Sequence, residues 1–142
     1  MALSRAERER FLAEPHVAAL SVDSGEESRG PLTVPVWYQY APGGEVWVLT
    51  GRDSRKHRLV ARAGRCTLLV QRLEPTVAYV SVEGPVVRTG PGTREALEEL
   101  AARYLPPEKV QGYVEFALKD HGEQVILYLR PEHWLSADLG AV

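Results

Sequence analysis

Between Arg52 and Arg65 the chain gathers six of its 17 basic residues, Arg52, Arg55, Lys56, Arg58, Arg62 and Arg65, against one of its 19 acids, Asp53. A protein of formal net charge −2 therefore concentrates positive charge at one place. Arg55, Arg58, Arg62 and Arg65 recur at i, i+3, i+7 and i+10, which predicts one charged helical stripe beside an apolar stripe of Leu59, Val60 and Ala63. Lys56 precedes Leu59 and Val60 by one turn, at the buried edge, so its stem either snorkels or points into a pocket. A helix capped by Asp53 or Ser54 offers unbonded N–H groups and a partial positive charge at its start. A hydroxyl, two cations and a helix start directly after a strand are what a phosphate group needs. A solvated helix whose arginines cover apolar surface would carry the same charge pattern.

Other chemistry has little to stand on. His16, His57, His121 and His133 are scattered without metal-ligand spacing, and no metal is expected. No GxSxG motif occurs. Gly90-Pro91-Gly92 reads as a turn, because no Lys-Ser/Thr follows to make a phosphate loop. The one cysteine, Cys66, lies in an apolar run and reads as inert, and Glu98-Glu99 falls on the solvent face of a helix.

The elements that must position the basic segment are legible from period and punctuation. Ser4 and Glu7 form a capping box that opens a helix ending near Glu14, before Pro15. Strands are predicted over His16–Val22, Pro31–Tyr40 and Glu45–Thr50, with loops at Asp23–Gly30 and Pro42-Gly43-Gly44. In the second strand Leu32, Val34, Val36, Tyr38 and Tyr40 share one face; Pro35 demands an edge or a bulge. The basic helix runs to Ala63 and Gly64 ends it. Strands follow over Cys66–Gln71 and Val77–Val87, the latter kinked at Gly84-Pro85, and then a loop at Gly90–Gly92. Helices are predicted over Thr93–Tyr104 and from Pro107 to about Lys119. Gln124–Arg130 is a last long strand; Pro131–Leu135 extends it after a break, and His133-Trp134-Leu135 is expected to leave the sheet. Six or seven mostly antiparallel strands with four peripheral helices predict a mainly β, α+β chain, a closed or nearly closed barrel.

At 142 residues this is expected to be a single domain, 1–142, able to bury its own core. The 44% hydrophobic and 25% charged fractions exclude a disordered chain. The near-neutral charge gives no pull toward nucleic acid or an anionic membrane. No apolar run reaches the roughly 18 residues of a membrane helix. Met1–Glu14 lacks the apolar centre of a signal peptide, and the single cysteine suits a reducing compartment, so the expected location is cytoplasmic.

Leu49-Thr50-Gly51-Arg52-Asp53-Ser54-Arg55-Lys56 resembles the flavin-phosphate segment of the pyridoxamine 5′-phosphate oxidase-like family, where a Ser-Arg-Lys opens a helix after a strand ending in Thr. Thr33-Val34-Pro35-Val36-Trp37-Tyr38 is similar to that family's second strand in its flavin/deazaflavin-dependent oxidoreductase branch. Tyr79-Val80-Ser81-Val82-Glu83-Gly84 resembles its Val-x-Gly strand. The resemblance implies a split β-barrel homodimer with cofactor sites at the subunit interface. It implies Thr50, Ser54, Arg55 and Lys56 around the cofactor phosphate and Val34, Pro35, Val36 and Trp37 along the ring, beside Leu49. Tyr79 becomes a ring contact and candidate proton donor. Trp37 and Trp47 are otherwise assigned to barrel or interface packing. The C-terminal Arg130-Pro131-Glu132-His133-Trp134-Leu135 lacks the Arg-x-Arg element of true pyridoxamine-phosphate oxidases, which argues against that reaction. The resemblance instead implies an oxidoreductase that uses coenzyme F420 to reduce a conjugated double bond of a small organic substrate. Arg58 and Arg62 would suit the anionic F420 tail, and Trp134 would wall the ring. A flavin mononucleotide (FMN) enzyme of the same fold, or a flavin, haem or tetrapyrrole carrier without turnover, are the alternatives.

Overall fold

The structure, a computed structural model, describes residues 1–141. Helix α1 (Arg5–Ala13) starts at the expected capping box: the Ser4 hydroxyl accepts from Glu7 N–H at 3.2 Å, and the Glu7 carboxylate accepts from Ser4 N–H at 2.9 Å. Strands β1 (Ala18–Val22), β2 (Leu32–Val36) and β3 (Val46–Gly51) lead to α2 (Arg55–Ala63). Then come β4 (Arg65–Arg72), β5 (Ala78–Pro91), the helix pair α3 (Arg94–Tyr104) and α4 (Pro107–Asp120), and strands β6 (Gln124–Leu129) and β7 (His133–Asp138). Ser54, not Asp53, caps α2, and Gly64 at φ 75° closes it in the left-handed region open to glycine.

All strand pairings are antiparallel, in the order β2-β1-β4-β5-β6-β3, with β7 also on β5. The 14-residue β5 is the spine. Its first part pairs β4 on one side and β7 on the other; a bulge between Val86 and Arg88 then turns its second part onto β6. The sheet therefore curls into a split barrel, its two ends linked by a single Gln39–Trp47 bridge. Alternation along each strand sends Leu20, Val36, Val48, Leu68, Val80, Val82 and Leu127 inward, and Val60 of α2 caps that core. A second, smaller apolar cluster, Leu97, Ala101, Val110, Val114 and Ala117, sits between α3 and α4 and reaches Leu49.

Four expectations are corrected. The second strand stops at Val36 rather than Tyr40, because the Tyr38 N–H turns to the Tyr104 hydroxyl at 3.0 Å; the buried alternation of Val36, Tyr38 and Tyr40 nevertheless persists. Gly90 and Pro91 belong to β5, not to a loop, because the bulge supplies β6 as a second partner. Arg65 does not continue the helical stripe: beyond Gly64 it is the first residue of β4, and its guanidinium bridges Glu83 at 2.6 Å and Glu132 at 2.7 Å. His133-Trp134-Leu135 does not leave the sheet but pairs with Glu83, Val82 and Ser81. Gly84 permits that return, since a Cβ there would overlap the Arg130 carbonyl. No helix among the described residues is long and apolar enough to cross a membrane.

Candidate functional site

The end of β3 and the start of α2 form a tight junction. Thr50, 2% exposed, shares a 3.1 Å hydrogen bond with the Ser54 hydroxyl. Ser54 donates to the Gly51 carbonyl at 2.8 Å and accepts from His57 N–H at 3.1 Å. Its one proton and both lone pairs are thus engaged in shaping the turn. Arg52 is held by Glu123 at 2.7 Å, and Arg58 donates back to the Asp53 carbonyl at 2.6 Å. Arg55 and Lys56 are different: neither has a hydrogen bond or ion pair among the described residues, and their backbone N–H groups at the first turn are unbonded too.

Lys56 projects into a cleft of about 360 Å³. Pro35, Val36 and Trp37 at the end of β2 and Leu49 of β3 make one wall; Leu97, Leu100, Tyr113 and His121 of the α3–α4 pair make the other, with Val17 and Gln124 at the rim. Burial holds the Lys56 pKa below the ordinary lysine value, and burial raises that of Tyr113. Trp37 is fixed by stacking on Tyr104 at 4.8 Å and 15° and by a tilted contact with Tyr113 at 5.1 Å. The α3 end that carries Tyr104 is itself pinned: Arg103 donates to the Ala13 carbonyl at 2.9 Å, the Glu14 carbonyl at 2.7 Å and the Gln39 side chain at 2.9 Å. An apolar slot lined by a desolvated ammonium, next in sequence to an unpaired arginine at a helix start, suits a planar, largely apolar ligand with an anionic tail.

Neither a family model nor a curated protein matches the chain. Solved structures do. A conserved hypothetical protein of Mycobacterium tuberculosis superposes at TM-score 0.70 with 22% identity, over 97% of this chain and 86% of that one. An F420 reductase gives 0.68 with 19% identity, over 89% and 94% of the two chains. A Listeria innocua protein described as a pyridoxamine 5′-phosphate oxidase gives 0.57 with 14% identity, over 91% and 96%. This chain shares the split-barrel fold of these proteins.

Within the split barrel, Pro35, Val36, Trp37, Leu49 and Lys56 converge on the cleft, whereas Thr50, Ser54 and Arg55 belong to the adjoining β3–α2 junction and do not line it. Val34 instead packs against the barrel core. Tyr79, paired with Gln71 and Ala137, stands on the outward face of β5 and does not line the cleft. Trp134 lines a separate cleft, where it meets Tyr40 edge-on at 6.4 Å and carries the Arg8 guanidinium 4.6 Å above its ring. Sequence reasoning missed Tyr113 and His121. Tyr113 flanks the buried Val110–Val114–Ala117 stripe of α4, and that position beside an apolar stripe was the available signal. His121, just past the last turn, had none.

Proposed function

We propose that this split barrel binds a flavin-type cofactor in the Lys56 cleft, coenzyme F420 in the first instance, and reduces a conjugated double bond of a small organic substrate. The observation that carries the reading is Lys56: a half-buried cation without a partner, next to Arg55 in the chain, lining an apolar slot. The structural likeness to an F420 reductase supports it. When bound, the cofactor supplies the hydride.

The protein's part is binding and position. Arg55, Lys56 and their backbone N–H groups would hold the phosphate, and Ser54 would join only by releasing the Gly51 carbonyl. Pro35, Val36, Trp37 and Leu49 would lie along the ring and exclude water from it. Val34 would support that strand from the core side, and the exposed Arg58 and Arg62 would meet a longer anionic tail. Tyr113 and His121 are the protic side chains that line the slot, while Tyr79 and Trp134 could join such a site only from a second copy of the chain. FMN is the second reading, favoured by the likeness to the protein described as a pyridoxamine 5′-phosphate oxidase.

Titration of the apo-protein with F420 and with FMN, followed by fluorescence quenching, tests the reading. F420 should bind saturably and more tightly than FMN. Arg55→Ala and Lys56→Ala should each weaken binding at least about tenfold, since each removes a charge-assisted contact of about 1.5–3 kcal/mol. Unchanged affinity in both variants, or no saturable binding of either cofactor, would sink it.

A further inference from the structure

A second cleft of about 360 Å³, bordered by the N-terminal helix, shares no lining residue with the first. Arg5, Arg8 and Glu9 of α1, Glu45 just before β3, Arg130 just after β6 and Trp134 of β7 build it. Three guanidinium groups from two parts of the chain line it with two carboxylates, and both carboxylates are already engaged. Glu45 is paired at 2.9 Å with Arg88, which does not itself line the cleft. Glu132, the only carboxylate near Arg130 among the described residues, stands 3.9 Å from it and 2.7 Å from Arg65. Glu9 accepts from the Tyr40 hydroxyl at 3.4 Å and lies 4.0 Å from Arg5. The Arg8 guanidinium lies over the Trp134 ring, and its Nε is buried without any hydrogen-bond partner. A buried N–H donor left unpaired is costly, and three guanidiniums against two engaged carboxylates leave the cleft net positive, which an entering counter-charge would offset.

We infer that this cleft is a second anion site. It takes a small oxyanion with two or more negative charges, the chemistry shared by phosphate esters and di- or tricarboxylates. Such a group can bond two guanidinium planes at once, and Arg8, fixed on the Trp134 ring, is preorganised to receive it. The inference stands apart from the cofactor reading, because none of its residues lines the Lys56 cleft.

The test is a titration of the full chain with inorganic pyrophosphate and, separately, with citrate, at constant ionic strength, followed by the indole N–H signals in ¹H–¹⁵N spectra. The chain has three tryptophans; Trp134 reports this cleft and Trp37 the other, with Trp134→Phe fixing the assignment. The Trp134 signal should move saturably, with a Kd at or below about 1 mM. Arg8→Gln and Arg130→Gln should each weaken that response at least about tenfold. Arg130 is well exposed, so its variant keeps the test open if Arg8→Gln impairs folding. Tighter pyrophosphate points to a phosphate ester as the natural source, and tighter citrate to a carboxylate. No saturable Trp134 response, an undiminished response in Arg130→Gln, or loss of the response in Lys56→Ala would overturn the inference. A missing Trp37 response would bear on the cofactor cleft alone.

Discussion

Lys56 costs the empty protein stability, because an ammonium without a partner is held among Val36, Trp37 and Leu49. Its folded pKa is below the ordinary lysine value of 10.5, so the unfolded chain holds that proton more tightly. The penalty is fully present below the folded pKa and is relieved as pH rises through the window from there to 10.5. Lys56→Met should therefore raise the thermal midpoint of the apo-protein at pH 7, by about 2–5 °C, and the gain should shrink toward pH 10.5. The same variant should lose cofactor affinity. Calorimetric melts of both proteins across pH check this, and a lower midpoint in the variant at pH 7 would contradict it. The Ser54-Arg55-Lys56 junction was legible in sequence because caps and helix starts are set by neighbouring residues. Lys56 alone left two directions open, snorkelling or pocket, and only packing against α3 and α4, some 40 residues downstream, decides between them. Arg65 was misread for a local reason: the helical spacing ran on past Gly64, where the backbone does not.

The α3–α4 pair packs chiefly on itself, around Leu97, Ala101, Val110 and Val114, yet it supplies one whole wall of the slot. Beyond its apolar contacts with Leu49 and Trp37, its hydrogen bonds to the barrel are concentrated at its Arg103-Tyr104 corner. The Tyr104 hydroxyl accepts from Tyr38 N–H at 3.0 Å and lies 2.8 Å from the His16 carbonyl. Tyr104→Phe keeps the ring stacked on Trp37 but strands both backbone groups, at a cost of about 1–3 kcal/mol. Denaturant unfolding should show that loss. Hydrogen exchange should show α3 and α4 opening faster than β4 and β5, with weaker cofactor binding as the consequence. Uniform loss of protection across the sheet would mean that the corner is not a local fastening. Each helix was legible from its own cap and stripe, as Thr93 and Pro107 show. That Tyr104 would end β2 early was not, because its bond to Tyr38 joins residues 66 apart. The return of β7 onto β5 was hidden likewise, since it depends on the hole in the chain left by Gly84.

At the scale of the whole molecule, one face of the sheet has no packed partner among the described residues. The strand registers align Pro35, Ala19, Leu69, Ser81 and Leu135 in a row across β2, β1, β4, β5 and β7, with Gln71, Tyr79 and Ala137 in the next row. None of these eight carries a charge, and Leu69 and Leu135 are 37% and 64% exposed. Such a face on a free monomer invites association. It replaces the sequence-based argument from Trp37 and Trp47: Trp37 is consumed by its own chain, stacked on Tyr104. Pro35 belongs to both the row and the Lys56 cleft, so a second copy seated on this face would border that cleft, as a shared site requires. The expected state is thus a twofold homodimer through this face. Light scattering should give twice the chain mass. Leu69→Glu combined with Leu135→Glu should yield a folded monomer, because two carboxylates on each copy would be desolvated against like charges. That monomer should also bind the cofactor more weakly, although both substitutions lie outside the chain's own cleft. A wild-type monomer that binds cofactor would refute the dimer, and a double variant that stays dimeric would move the interface to another surface.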